Sequence, residues 1–147
     1  MYRLARIYKV EVGHRLAMHG GKCKNLHGHN YRIEVGIKSP TINSHGMVMD
    51  FTELKNLVAP VLDKFDHALM LNCLEDPELI EYLEKEGMKI LPFPGDPTAE
   101  MMCEWMFYQV KKVLMNYIEK DSTIDTIELE YVKIWETDNS CAEYRLN

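Results

Sequence analysis

No apolar run in this chain approaches the roughly 18 residues needed to cross a bilayer, and no segment is repeated, low in complexity or linker-like in composition. A membrane span, a repeat array and a string of domains are therefore not expected. At 147 residues the chain suffices for one hydrophobic core and is too short for cores to divide, so residues 1–147 read as a single domain. A basic excess is also missing. The formal net charge is −6, whereas phosphate-backbone binding leaves a positive footprint on the whole domain, so nucleic acid is not an expected partner. A small anionic substrate stays compatible, because salt screens carboxylates more than about 8–10 Å away. The N-terminus, MYRLARIYKVEVGH, lacks the apolar stretch and cleavage site of a signal peptide, and a cytoplasmic location is expected. The four cysteines, Cys23, Cys73, Cys103 and Cys141, are too dispersed for a disulfide framework and read as reduced thiols. Of these, Cys73, Cys103 and Cys141 read as packing residues.

What is present is an ordinary globular composition, 46% hydrophobic and 27% charged, with clear local periodicities. Residues 2–13 and 30–38 alternate as half-buried strands do. Between them lies HRLAMHGGKCKNLHGH, too rich in histidine and glycine for a plain turn. Asp50 is placed to cap a helix over roughly 51–64, with Glu53 completing a capping box, and Pro60 should kink or loosen that helix. Asp76-Pro77 open a short polar helix stopped by Gly87. Asp96-Pro97 start a long amphipathic helix carrying Met101, Met102, Trp105, Val110, Val113, Leu114, Tyr117 and Ile118 at helical spacing. Its methionine-rich stripe reads as core rather than as a binding groove. The tail, IDTIELEYVKIWET then SCAEYRL, reads as two strands joined by the turn TDNS. The sum is an α+β domain, an antiparallel sheet with helices packed on one face.

Three of the six histidines cluster around the first connection: His14 at a strand end, His27 and His29 at the far side. Residues i and i+2 of an extended segment share a face, so His27 and His29 can reach one ion. An antiparallel pairing would bring His14 alongside. Three neutral imidazoles suit Zn²⁺ with an open fourth position, the pattern of a catalytic site, whereas a closed structural site would add Cys23. Asp66-His67 reads either as a proton-transfer pair or as a helix C-terminal cap, with histidine near the negative dipole end.

Six pieces occur in one order along the chain: GHRL, CKNLHGHNY, GMVMDFTELK, FDH, PTAE and WET. In that order they resemble the 6-pyruvoyl-tetrahydropterin and 6-carboxy-tetrahydropterin synthase family. The resemblance implies Zn²⁺ held by His14, His27 and His29, and catalysis by Cys23, Asp66 and His67. It implies a pterin substrate bound by Glu136, Thr98 and Glu100, with Glu136 anchoring the ring. It implies a tunnelling-type fold, with identical subunits assembled into a barrel as trimers that pair, a homo-oligomer expected to be a hexamer with the site at a subunit boundary. Two departures stand out. The chain reads VEVGH where the family carries an aromatic before its first zinc histidine, and the stretch from Cys73 to Asp96 is longer than in compact members.

The chemistry of these residue types agrees with those roles. A carboxylate can accept two parallel N–H donors from an aminopyrimidinone edge, and a thiolate beside a cation can shuttle protons. Within the family, three residues between the cysteine and HGH resemble the 6-carboxy branch and five resemble the pyruvoyl branch; here KNL supplies three. The implied reaction converts 7,8-dihydroneopterin triphosphate and water to 6-carboxy-5,6,7,8-tetrahydropterin, acetaldehyde and triphosphate, feeding 7-deazaguanine and queuosine biosynthesis. The pyruvoyl synthase reaction and a non-catalytic pterin- or zinc-binding protein are the alternatives. Arg15, Lys22 and Lys24 are nominated for the triphosphate.

Overall fold

A computed structural model describes residues 1–120 and 126–147. The long alternating segments become β1 (Tyr2–His14) and β2 (His27–Ser39), paired antiparallel along their whole length, with His14 opposite His27 and Val12 opposite His29. Alternation sends Tyr8, Val10 and Val12 of β1 and Tyr31, Ile33, Val35 and Ile37 of β2 into the core. Glu11, Gly13, Gly28 and Asn30 fall on the opposite, open face. The connection between these strands holds a 3-10 turn at Lys22–Lys24.

Helix α1 (Phe51–Leu62) carries the expected capping box between Asp50 and Glu53. It ends two residues after Pro60, short of 64, with a last bond from Asp63 N–H to the Ala59 carbonyl at 2.9 Å. Two short strands then follow that the alternation pattern did not reveal, β3 (Ala68–Asn72) and β4 (Ile90–Phe93), separated by α2 (Pro77–Lys85). Both pair in parallel, β3 with the end of β1 and β4 with β3, so the otherwise antiparallel sheet has a parallel edge. Parallel strands between a sheet and covering helices need no polar alternation, and β3 accordingly reads Ala-Leu-Met-Leu-Asn. Pro77 sits in the first turn of α2, and Gly87 at φ +78° closes it, with Met88 N–H donating to the Leu83 carbonyl at 3.0 Å.

Helix α3 (Ala99–Ile118) is the long amphipathic helix, capped by the Thr98 side chain, not by Asp96. Met102 and Met106 are fully buried, which settles the methionine stripe as core; Met101 is exposed. The C-terminal hairpin is β5 (Glu128–Thr137) and β6 (Ser140–Tyr144). The expected strand start at Ile124 and Asp125 lies outside the described residues. The sheet order is β4-β3-β1-β2-β5-β6, with the three helices on one face, so the α+β expectation is met. All four cysteines are free; Cys103 is buried, but Cys73 and Cys141 are exposed and are not packing residues.

Candidate active site

The β1–β2 register creates the centre of the site. His14 and His27 are cross-strand partners, and their Nε2 atoms lie 3.1 Å apart. His14 Nδ1 lies 3.0 Å from the Pro97 carbonyl, and His27 Nδ1 lies 2.7 Å from the Asn25 carbonyl. A carbonyl can only accept, so each ring carries its proton on Nδ1 and turns an unprotonated Nε2 inward. Two facing lone pairs at that separation repel unless a cation lies between them. His29 joins from the same strand face. Its Nε2 is buried without a hydrogen-bond partner and lies 3.4 Å from Glu136 Oε1. Ligand nitrogens of the three rings all lie within 4.8 Å of one another. Burial holds His14 below the usual imidazole range, which favours the neutral form a metal requires. The three side chains thus fit a cation, with backbone carbonyls already orienting two rings. Cys23, half-buried on the 3-10 turn, is not part of the group, so the closed alternative with a sulfur ligand is not the arrangement found.

Beside the histidines, Glu136, Thr98 and Glu100 line one cleft of about 260 Å³, together with Leu16 and Ser140. Two separate parts of the sequence, the end of β5 and the capped first turn of α3, supply these three residues. Glu136 joins the cleft to the cation site: one carboxylate oxygen faces His29, and the other is 3.5 Å from the Tyr31 hydroxyl. That hydroxyl also lies 3.4 Å from His14 Nε2. Burial, first, and Glu136 push the Tyr31 phenol well above its usual range, so it remains a neutral donor. Sequence reasoning missed Tyr31. The available signal was its place two residues beyond His29 on the same strand face.

Asp66 and His67 are close to each other but stand elsewhere in the chain. His67 Nδ1 is 2.9 Å from Asp66 Oδ2, and its Nε2 is 3.5 Å from Glu11 Oε2. Glu11 belongs to the open face of the sheet, so the pair lies across the sheet from the inward-facing histidines. Glu11 also grips the turn through its backbone, accepting from His67 N–H at 2.7 Å and donating to Asp66 Oδ1 at 3.0 Å. That N–H, followed by His67, holds the Asp66 carboxyl below the usual carboxylate range. The His67 side chain is 72% exposed, and its partners within the chain are Asp66 and Glu11. Of the nominated cations, Arg15 is in contact with Asp76 (Nε to Oδ2, 3.2 Å), its N–H angled away from the oxygen, while Lys22 and Lys24 are exposed beside Cys23.

A family model described as 6-pyruvoyl tetrahydropterin synthase matches residues 3–147. Among curated relatives, the 6-carboxy-5,6,7,8-tetrahydropterin synthase of Aquifex aeolicus is 32% identical, with 98% of each chain covered. The enzyme of the same name from Haemophilus influenzae is 30% identical over 99% of each. Among solved structures, 6-pyruvoyl tetrahydropterin synthase of Caenorhabditis elegans superposes with a TM-score of 0.67 at 26% identity, over 99% of this chain and 96% of that one. An uncharacterised protein of Wolinella succinogenes shares the fold, with a TM-score of 0.79 at 17% identity over 99% and 98%. With a family model and curated relatives spanning nearly its whole length, the chain belongs to the 6-pyruvoyl tetrahydropterin synthase family.

Proposed function

We propose that the chain is a zinc-dependent enzyme that converts 7,8-dihydroneopterin triphosphate and water to 6-carboxy-5,6,7,8-tetrahydropterin, acetaldehyde and triphosphate. The observation that carries this reading is the junction at Glu136, which lines a cleft and lies 3.4 Å from His29, one of three inward-facing imidazoles grouped within 4.8 Å of one another. The branch is supported by the three-residue spacer in CKNLHGH and by the 6-carboxy names of the relatives from Aquifex aeolicus and Haemophilus influenzae. The product would serve 7-deazaguanine and queuosine biosynthesis in the cytoplasm.

His14, His27 and His29 would hold the metal. When bound, Zn²⁺ supplies Lewis acidity toward the oxygens of the substrate side chain. Glu136 accepts the paired N–H groups of the pterin edge and fixes the ring. Thr98 and Glu100 shape the wall beside it. Cys23 moves the proton at the substrate, and His67, its tautomer held by Asp66, exchanges that proton with Cys23. Because Asp66-His67 lies on the open sheet face, the complete proton-transfer set requires a second copy of the chain, in keeping with a trimer-based homo-oligomer, a hexamer by family resemblance.

Carbon balance tests the assignment. Zinc-loaded protein given 7,8-dihydroneopterin triphosphate is expected to release acetaldehyde alongside a carboxylated tetrahydropterin. A three-carbon pyruvoyl product without acetaldehyde would transfer the chain to the other branch, and tight pterin binding without turnover would make it a binding protein.

A further inference from the structure

The stretch from Cys73 to Asp96 is the part of the chain that the proposed chemistry leaves without a role, yet three of its side chains reach the two pieces assigned to proton transfer. Asp96 grips the connection that carries Cys23. Its Oδ1 accepts from Ala17 N–H at 3.0 Å and from Asn72 Nδ2 at 2.9 Å, and its Oδ2 accepts from Met18 N–H at 2.9 Å. The same connection is closed on itself by Leu16 N–H donating to the Cys23 carbonyl at 2.8 Å, so holding Ala17 and Met18 also holds the turn bearing the thiol. Asp76 adds the contact with Arg15 at the mouth of that connection.

Lys89 reaches the other piece. Its ammonium donates to the Asp63 carbonyl and, at 2.6 Å, to the Asp66 carbonyl, across the C-terminal end of α1, where a cation is favoured by the helix dipole. Its own carbonyl accepts from Leu69 N–H at 3.0 Å. The Asp66-His67 turn thereby has a support on each side, Glu11 from β1 and Lys89 from the residue just before β4. It needs them, since His67 sits at φ +57°, a left-handed conformation that side-chain-bearing residues rarely adopt.

We propose that the 73–96 segment is a brace, with Asp96 and Lys89 as positioning residues, one for the Cys23 connection and one for the Asp66-His67 turn. The inference rests on the assignment of Cys23 and His67 to proton transfer. Asp96 and Lys89 each act through backbone groups of the piece they hold. Because the two pieces of one chain lie apart, one segment supports two half-sites, through Asp96 at one and Lys89 at the other.

The test uses the full chain loaded with zinc, with circular dichroism confirming the fold of every variant. In Asp96→Ala, alkylation of Cys23, followed by mass spectrometry against exposed Cys73 and Cys141, is expected to accelerate about 10-fold, and kcat to fall about 10- to 100-fold with KM little changed. Asp96→Asn keeps one acceptor oxygen and should fall between, which preserves the test if the alanine variant does not fold. Lys89→Met is expected to shift the His67 ring resonances in histidine-labelled protein and lower kcat similarly while leaving Cys23 alkylation unchanged, and Lys89→Arg is expected to restore both. Wild-type kcat in Asp96→Ala and Lys89→Met, or reduced kcat with Cys23 reactivity and His67 resonances unmoved, would overturn the brace. Turnover retained by Cys23→Ala and His67→Asn is the separate result that overturns the proton-transfer assignment beneath it.

Discussion

At the scale of single residues, the site divides into groups that build it and groups that use it. His14 and His27 each have one nitrogen committed to a backbone carbonyl, so the remaining nitrogen is oriented before any metal arrives. Cys23 is outside that group, so in the proposed mechanism metal assembly and proton transfer fall to different side chains. Cys23→Ala should therefore retain zinc and pterin binding, measured by metal analysis and ligand titration, while kcat drops by roughly 10²- to 10⁴-fold, the usual share of a proton-transfer group. Unaltered turnover would remove the thiol from the reaction. Glu136 has the complementary role. If Glu136 anchors the ring as proposed, Glu136→Gln would turn one of two charge-assisted contacts into a weaker neutral one and should raise the pterin Kd roughly 10-fold, or about 1.4 kcal/mol, with zinc content unchanged. An unchanged Kd would take Glu136 out of the cleft. As candidates for these roles, both positions were readable from side-chain type within matching motifs. Tyr31 was not, because a tyrosine in an alternating strand looks like any other core aromatic until its hydroxyl is placed beside Glu136 and His14.

At the scale of elements, Thr98 has two assignments that must be separated. It is the N-cap of α3, accepting from Met101 N–H at 3.3 Å, and it also lines the Glu136 cleft. Thr98→Ala should cost about 1 kcal/mol in thermal or denaturant unfolding through loss of the cap. Thr98→Ser keeps the hydroxyl and should recover most of that stability. If serine also restores pterin affinity, the hydroxyl is the binding feature; if it restores stability alone, the methyl group shapes the wall. The elements themselves were unevenly legible. The long alternating strands, the capping box at Asp50 and the Asp76-Pro77 helix start follow local rules that tertiary packing did not override. Strands β3 and β4 escaped because they are short, pair in parallel and lack alternation; β4 even contains Pro92, which argues against a strand. Asp96 was read as part of a helix start, since Asp-Pro is a local signal, but its carboxylate is spent on Ala17 and Met18, far away in sequence. A hydrogen bond to a distant backbone amide leaves no trace in the spacing of residues.

At the scale of the whole molecule, the decisive fact is that the sheet separates the assigned groups. His14, His27 and His29 point toward the helices, while His67 stands with Glu11 on the open face, its side chain 72% exposed. Sheet alternation makes this separation rigid, since moving His67 to the other face would mean breaking the Glu11 contacts that hold its turn. A chain that works alone would leave the Asp66-His67 pair without a role in the reaction. A chain that works with its copies can present His67 to the Cys23 of a neighbour. The two cases separate when inactive variants are mixed. Cys23→Ala and His67→Asn chains, each inactive in its own oligomer, are dissociated, combined in equal amounts and reassembled. If every site takes Cys23 from one chain and His67 from another, random assortment gives about one quarter of the sites both native groups, and about one quarter of wild-type activity should return. If both groups come from one chain, no mixed oligomer contains an intact site, and activity stays at the level of the separate variants.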